Sequence, residues 1–235
     1  MSQTVVSHVL ATDHVVPDRD RWWEAVTSRA ALLHRLGAHH VVAYAALRDP
    51  ERVFVTMGLR HRDPLEGVLR SRAVLDWFDA TGVEEIPPLF AGSVVEKIAV
   101  VPEDAAPPHG AHEEQAHHGA VVVAAITEVP DVELLRTSVH AHLDRFRSAG
   151  VRKVWLYRAL DVGREVMVLQ EVASEEQAQR WLDHPDASVD WMDSAGVGVY
   201  PPLFVGRLLR VLHLDPAEGA ATAASTPPAL PHEER

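Results

Sequence analysis

The sequence predicts an α+β protein in which one βαββαβ unit occurs twice in tandem. Three observations predict it. First, Asp76-Trp77-Phe78-Asp79-Ala80-Thr81-Gly82-Val83 recurs 114 positions later as Asp190-Trp191-Met192-Asp193-Ser194-Ala195-Gly196-Val197. Pro87-Pro88-Leu89-Phe90-Ala91-Gly92 recurs at the same offset as Pro201-Pro202-Leu203-Phe204-Val205-Gly206, and 10 of the 18 positions from Leu75 to Gly92 match their partners without a gap. Second, the match extends upstream at an offset of 113: Val16-Pro17-Asp18 falls on Val129-Pro130-Asp131, Gly37 on Gly150 and Tyr44 on Tyr157. Third, strand-length apolar runs and helically spaced apolar residues follow one another in the same order in both copies. The copies are expected as domains at residues 1–101 and 119–213, with a linker over 102–118 and a disordered tail over 214–235.

In the first copy, the β-branched run Val5–Ala11 predicts a strand. Pro17-Asp18 opens a helix over Arg21–Leu36, whose Trp22, Val26, Ala30 and Leu33 share one face, and Gly37 ends it. Val41–Leu47 and Val53–Leu59 form a hairpin around Arg48-Asp49-Pro50-Glu51. Leu65–Ala80 is a second helix ended by Gly82, and Phe90–Val100 is the last strand. The double proline presets an extended lead into that strand. The second copy reads the same way: strand Ala120–Ile126, helix Asp131–Ser148, strands Lys153–Leu160 and Glu165–Val172, helix Glu175–Ala195 interrupted at Pro185, and strand Leu203–Leu212. Each unit gives a four-stranded antiparallel sheet with two helices on one face, the ferredoxin-like arrangement. The bare sheet face must be covered, and two copies in one chain can cover each other, packing face to face into an intramolecular α+β barrel.

Composition narrows the chemistry. With 235 residues and 47% hydrophobic content the chain can bury a sizeable core. It has no cysteine, which excludes disulfides, zinc–thiolate sites and cysteine nucleophiles. The net charge of −12 repels phosphate backbones, so no nucleic-acid partner is expected. The 22 basic residues comprise 20 Arg and 2 Lys. No apolar run approaches the roughly 20 residues that cross a bilayer, and Met1–Thr4 opens no secretory signal; a cytoplasmic protein without a membrane partner is expected. There is no glycine-rich phosphate loop, no Gly-x-Gly-x-x-Gly and no Gly-x-Ser-x-Gly elbow, so no cofactor is indicated.

The first strand Val5–Ala11, the helix ending in Leu36-Gly37, the hairpin Val41–Leu59 and the run Asp76–Val83 followed by Pro87-Pro88-Leu89-Phe90 together resemble the dimeric α+β barrel superfamily. The resemblance is closest to antibiotic-biosynthesis monooxygenase-like and small cyclase-like domains, and it covers nearly all of both copies. It implies a ligand cavity between each sheet and its own helices, and activities that include cofactor-free oxygenation, heme degradation, cyclisation and isomerisation. It carries no residue role over by itself.

Both copies keep the Asp-Trp pair, Asp76-Trp77 and Asp190-Trp191, and the tyrosines Tyr44 and Tyr157. An indole can wall a cavity for an aromatic ligand and a carboxylate can act as base or orient one; equally, the indole can be core and the carboxylate a solvated helix residue. Histidines distinguish the copies: His8 and His14 align with Val121 and Thr127, and His39-His40 with Arg152-Lys153. His8 lies in an apolar strand and His14 at its end, so both are candidates for proton transfer, while His39 and His40 are expected in a solvated loop. The candidate catalytic residues are therefore His8, His14 and Asp76, and the candidate substrate-binding residues Trp22, Tyr44, Trp77, Tyr157 and Trp191. The linker histidines His109, His112, His117 and His118 match no closed metal-site spacing. The expected function is a small tailoring enzyme acting on an aromatic or polyketide-like molecule by cofactor-independent oxygenation or cyclisation. The alternatives are a non-catalytic small-molecule-binding barrel and a heme or metal protein of the same fold. The chain can close its own barrel as a monomer, and its outer helices leave a homodimer open.

Overall fold

In the computed structural model, residues 6–61, 67, 72, 76–77, 87–102, 120–183 and 202–214 are described. The linker, the tail and most of the Asp-Trp-bearing helices of both copies, including Asp190 and Trp191, lie outside them. The first half contains β1 (Val6–Val15), α1 (Arg19–Thr27), α2 (Ala30–Arg35), β2 (Ala38–Ala46), β3 (Arg52–His61) and β4 (Leu89–Ala99). The second contains β5 (Val121–Glu128), α3 (Val132–Ala141), α4 (Leu143–Ser148), β6 (Val151–Ala159), β7 (Glu165–Val172), α5 (Glu175–Asp183) and β8 (Leu203–His213). Asp76 and Trp77 are helical.

All eight strands form one closed antiparallel barrel in the order β1-β3-β2-β8-β5-β7-β6-β4. Within it each half keeps the ferredoxin-like neighbour order, β4-β1-β3-β2 and β8-β5-β7-β6. The halves do more than face each other. Their edge strands are hydrogen-bonded into two seams, β2 with β8 and β4 with β6, so no strand of the barrel is left as an edge. Across the seams, the Leu47 amide donates to the Val205 carbonyl at 3.0 Å and the Leu160 amide to the Ala91 carbonyl at 2.9 Å.

Strand alternation divides the core into three. Leu10, Val41, Val53, Val55, Met57 and Leu59 face α1 and α2 together with Trp22, Val26 and Leu33. Val121, Val123, Val154, Leu156, Val166 and Val168 face α3 and α4 together with Leu135, Val139 and Phe146. The intervening positions fill the barrel: Val9, Ala11, Tyr44, Phe54, Phe90, Val122, Met167, Leu169 and Phe204, with the Phe54 and Phe204 rings stacked at 5.1 Å. Val16 and Val129, from the repeated Val-Pro-Asp, are fully buried where each first strand turns into its helix. Asp18 caps α1 by accepting from the Arg21 amide at 3.0 Å, and Asp131 caps α3 by accepting from the Glu133 amide at 2.8 Å.

The long first helix expected in each copy is broken in the same place. Thr27 and Ser28 hydroxyls donate back to the Trp23 and Ala25 carbonyls, and Arg29 leaves helical geometry at φ −112°, ψ 22°. In the second half His142 leaves it at φ −114°, ψ 18°, its Nδ1 lying 2.7 Å from the Ser138 carbonyl. Glycines 37 and 150 then take positive φ, 78° and 83°, as the chain turns into β2 and β6. His39 and His40 are a correction to the sequence reading. They belong to β2 and are half-buried, because β2 begins three residues earlier than its apolar run and carries a bulge between Ala38 and His40.

The repeated Pro-Leu-Phe-x-Gly acquires a reason. A Cβ on Gly206 would stand 2.5 Å from Cε1 of the Phe204 ring and 2.6 Å from the Ala45 carbonyl; one on Gly92 would stand 2.6 Å from Phe90 and 2.7 Å from the Arg158 carbonyl. Each glycine lets a phenylalanine two residues earlier lie across the strand, and lets the backbone of the other half approach at the seam. Gly206→Ala is therefore expected to destabilise the protein by about 2 kcal/mol or more, because the carbonyl it meets is backbone and cannot swing away. Gly163→Ala, which meets nothing within 4 Å, is expected to change stability by less than about 0.5 kcal/mol. Urea unfolding of the two variants beside the parent checks both.

His40 makes the fold acid-sensitive. Burial first, then His39, His213, Lys97 and Arg60, push its pKa from 6.5 down to about 4. The unfolded chain takes up this proton before the folded one. The neutral ring therefore stabilises the fold above pH 6.5, and that stabilisation is lost as pH falls from 6.5 towards 4, by up to roughly 3 kcal/mol. Urea midpoints measured from pH 7 to 4.5 are expected to fall steeply in the parent and less steeply in His40→Gln.

Candidate functional site

The first half encloses an apolar pocket between its sheet and its helices. Leu10 and Thr12 of β1, Val55 and Met57 of β3, Leu89 of β4, Leu36 after α2 and the helical Trp77 line it. Its volume is about 30 Å³, close to the space of one or two water molecules. Thr12 brings the polar atom of this lining and is 8% exposed. Trp77 and Met57 are buried and belong to the cluster that Trp22 also joins.

His14 follows Thr12 two positions along β1, on the same face of the sheet. Its ring meets Trp22 edge-on at 5.9 Å between centroids. Both ring nitrogens are shut off from solvent, and neither has a hydrogen-bond partner among the described residues. A buried polar group in that state costs folding energy, on the order of 1–3 kcal/mol, unless something else gains from it. Burial lowers the His14 pKa and the neighbouring Asp13 carboxylate only partly offsets this, so the ring stays neutral at pH 7. Asp13 points to the opposite face of β1 and is held by Arg52, whose Nε lies 2.8 Å from Oδ1. Asp13 is thus turned away from the His14 ring.

The other residues singled out from the sequence are spread more widely. His8 lies on the same face of β1, beyond Leu10, half-buried and opposite Leu59 and Ser93. Asp76 is exposed beside Trp77, 3.5 Å from Arg72. Tyr44 and Tyr157 are a correction: they face the barrel interior, on the other side of the sheet from the pocket, because they alternate with the helix-facing residues of β2 and β6. Burial raises both phenols, Tyr157 to about 12 and Tyr44 higher still with Tyr157 and Glu171 adding to it, so both stay protonated. Trp191 lies outside the described residues. The structure thus brings together His14, Trp22, Thr12, Met57 and Trp77. Thr12 and Met57 were missed from sequence; Met57 alternates with Val55 on a strand already identified, whereas Thr12 lies just past the expected end of the first strand at Ala11, which β1 extends to Val15.

A larger cavity of about 410 Å³ opens across the β2–β8 seam, lined by Arg19, Leu47, Pro50, Glu175, Gln179 and Arg207. It is a solvated groove whose charges answer one another: Arg207 stands 3.7 Å from Glu175, and Arg48 pairs with Asp183 at its border. Size alone does not make it the chemical site. Among the described residues no group of three His, Asp or Glu side chains could hold a metal ion, and no helix is long and apolar enough to cross a membrane.

No known family profile and no curated protein matches the chain. Solved structures do. An anthrone oxidase-like protein is similar over 91% of this chain and 96% of its own, with a TM-score of 0.58 at 10% identity. A candidate monooxygenase from Lactobacillus acidophilus NCFM is similar over 89% and 97%, with a TM-score of 0.52 at 10% identity. A mutant chlorite dismutase from Candidatus Nitrospira defluvii is similar over 87% and 92%, with a TM-score of 0.52 at 15% identity. What the chain shares with these structures is the fold. Here both barrel halves are supplied by one chain, and the two halves have diverged at the pocket. Leu10, Thr12, Leu36 and Met57 stand where the second copy has Val123, Ala125, Ala149 and Gln170.

The pocket is closed by side chains rather than by backbone, and Met57 is one of its adaptable walls. Met57→Ala is expected to destabilise the protein by about 2–4 kcal/mol and to leave a cavity that takes up a small apolar probe such as benzene. Thermal unfolding with and without benzene checks this: a larger benzene-dependent rise in Tm is expected in the variant than in the parent.

Proposed function

We propose that the pocket of the first half receives a small aromatic or polyketide-like molecule, and that the chain is a tailoring enzyme working without a cofactor, by oxygenation or cyclisation. The single observation that carries this is His14: a neutral imidazole in an apolar setting, both nitrogens unpartnered, beside the pocket and against an indole. Such a ring accepts a proton from an acidified C–H or phenolic O–H, and the apolar surroundings strengthen that transfer by keeping water away.

The step balances simply. The substrate C–H bond breaks, its electron pair stays on the substrate as an enolate, and the proton moves to His14. In a cyclisation, the enolate carbon attacks a ketone of the same molecule and the new alkoxide recovers the proton from His14. In an oxygenation, dioxygen is the oxidant: a methylene becomes a carbonyl and the second oxygen atom leaves as water. Trp77 and Trp22 act as flat walls, Thr12 offers a hydroxyl to a substrate oxygen, and His8 and Asp76 border the site. The likeness to an anthrone oxidase-like protein and to a candidate monooxygenase supports this reading. A domain division at 1–101 and 119–213, with both halves required for the barrel, belongs to the same proposal.

The small volume of the pocket favours a second reading, a barrel that binds without catalysis. One variant separates the two. In His14→Gln, kcat/KM for an anthrone or a poly-β-ketone is expected to fall at least about 100-fold with the unfolding midpoint unchanged or raised. In the parent, kcat/KM is expected to decline as pH drops through a pKa below 6.5, because only the neutral ring can act as base. Turnover is expected to persist after dialysis against chelator and without a Soret band. Unchanged turnover in His14→Gln contradicts the assignment, and a Soret band with stoichiometric heme favours the heme protein.

A further inference from the structure

The chain has only two lysines, Lys97 and Lys153, and the barrel brings both to one mouth. Lys97 faces Trp155 across the β4–β6 seam and Lys153 faces Ala99. Trp155 packs with the barrel interior, so Lys97 opposite it and Lys153 two residues before it turn inward too. On the other side of the same mouth, His40 of β2 faces Gly58 of β3 and His213 of β8. The His39 and His40 rings meet edge-on at 4.3 Å and occupy the space that a side chain at position 58 would need, their Cε1 atoms 2.7 and 2.2 Å from a Cβ built there. Arg60 follows two residues after Gly58. Lys97 and Arg60 are close enough to both rings to oppose their protonation.

Against these six groups the mouth presents, among the described residues, one carboxylate, Glu171 of β7, in register with Lys153. Among the described residues Arg60, Lys97 and Lys153 make no ion pair, whereas Arg48, Arg52, Arg136 and Arg210 are each matched to a carboxylate. Cations that outnumber the carboxylate at a confined opening, in a chain of net charge −12, form a local positive field.

We propose that this mouth of the barrel is a binding site for a small dianionic oxyanion, a phosphate or sulfate group, held by Arg60, Lys97 and Lys153 with His40 and His213 as hydrogen-bond donors. Ammonium groups on the paired strands β4 and β6 and the guanidinium on β3 supply charge-assisted hydrogen bonds. Val42 and Trp155, the next inward-facing positions, form an apolar floor, which favours a compact anion seated at the rim. An extended polyanion is disfavoured, because the rest of the acidic surface repels it. Binding couples to proton uptake: the dianion attracts a proton to His40, whose titratable and charged neighbours are His39, His213, Lys97 and Arg60, with Lys153 and Glu171 paired on the strands at the same mouth. Affinity therefore rises as pH falls below 7.

The test follows the histidine ring signals of the full-length protein by NMR while sulfate, a dianion throughout the range, is added at constant ionic strength maintained with chloride. Saturable shifts of the His40 and His213 signals are expected, tighter at pH 6 than at pH 7.5, with a raised His40 pKa at saturation. Lys97→Gln with Lys153→Gln is expected to weaken binding at least tenfold. Arg21→Gln, on the exposed side of α1, is expected to leave it unchanged, and far-UV circular dichroism shows that both variants are folded. Shifts that chloride alone reproduces, or binding unaffected by loss of both lysines, would overturn the proposal.

Discussion

Everything in this molecule depends on two backbone seams. A four-stranded ferredoxin-like sheet has two exposed edges and one uncovered apolar face, and neither half can satisfy both alone. Joining β2 to β8 and β4 to β6 resolves the edges through hydrogen bonds and the faces through a shared interior of phenylalanine, tyrosine, methionine and aliphatic side chains. The seams demand close approach of backbones, so glycine stands at Gly92 and Gly206, and each is paired with the phenylalanine that covers it. That single requirement accounts for the most strongly repeated stretch of the sequence.

The barrel also assigns the side chains. Because each strand shows one face to the helices and the other to the interior, a residue's chemistry follows from its parity. Tyr44 and Tyr157, kept by both copies, are interior core. His14, present in one copy only, falls on the helix side beside a pocket. The shared tyrosines are structural, and the histidine that one half owns is a candidate for chemistry: at these positions the two copies act as each other's control. The same logic isolates the barrel mouth, where His40 and Lys153 occupy equivalent positions and Glu171 answers Gly58.

Much of the architecture was legible in the sequence, and the reasons are physical. Repetition at fixed offsets exposed the two units, β-branched runs marked the strands, and Asp18, Asp131, Gly37 and Gly150 marked helix ends through capping and positive φ. Less was legible where tertiary context decides. The breaks at Arg29 and His142 come from hydroxyl and imidazole groups competing for helix carbonyls, which apolar spacing does not register. His39 and His40 read as loop because their room comes from a glycine on another strand, Gly58. His14 could be named as a candidate, but the isolation of both its nitrogens depends on Trp22 and the sheet around it. Thr12 and Met57 became site residues only once the register of β1 against β3 was known.

The most direct test of the account is native-state hydrogen exchange at the seam amides, compared with amides inside one half. The Leu47 and Leu160 N–H groups bond across the seams, while the N–H groups of β5 and β7 bond within the second half. If barrel closure is what makes each half stable, all of them exchange only through global unfolding, with one common free energy and one denaturant dependence. Seam amides that exchange by a separate, lower-energy opening while β5 and β7 stay protected would show that the halves stand on their own, and would contradict the account.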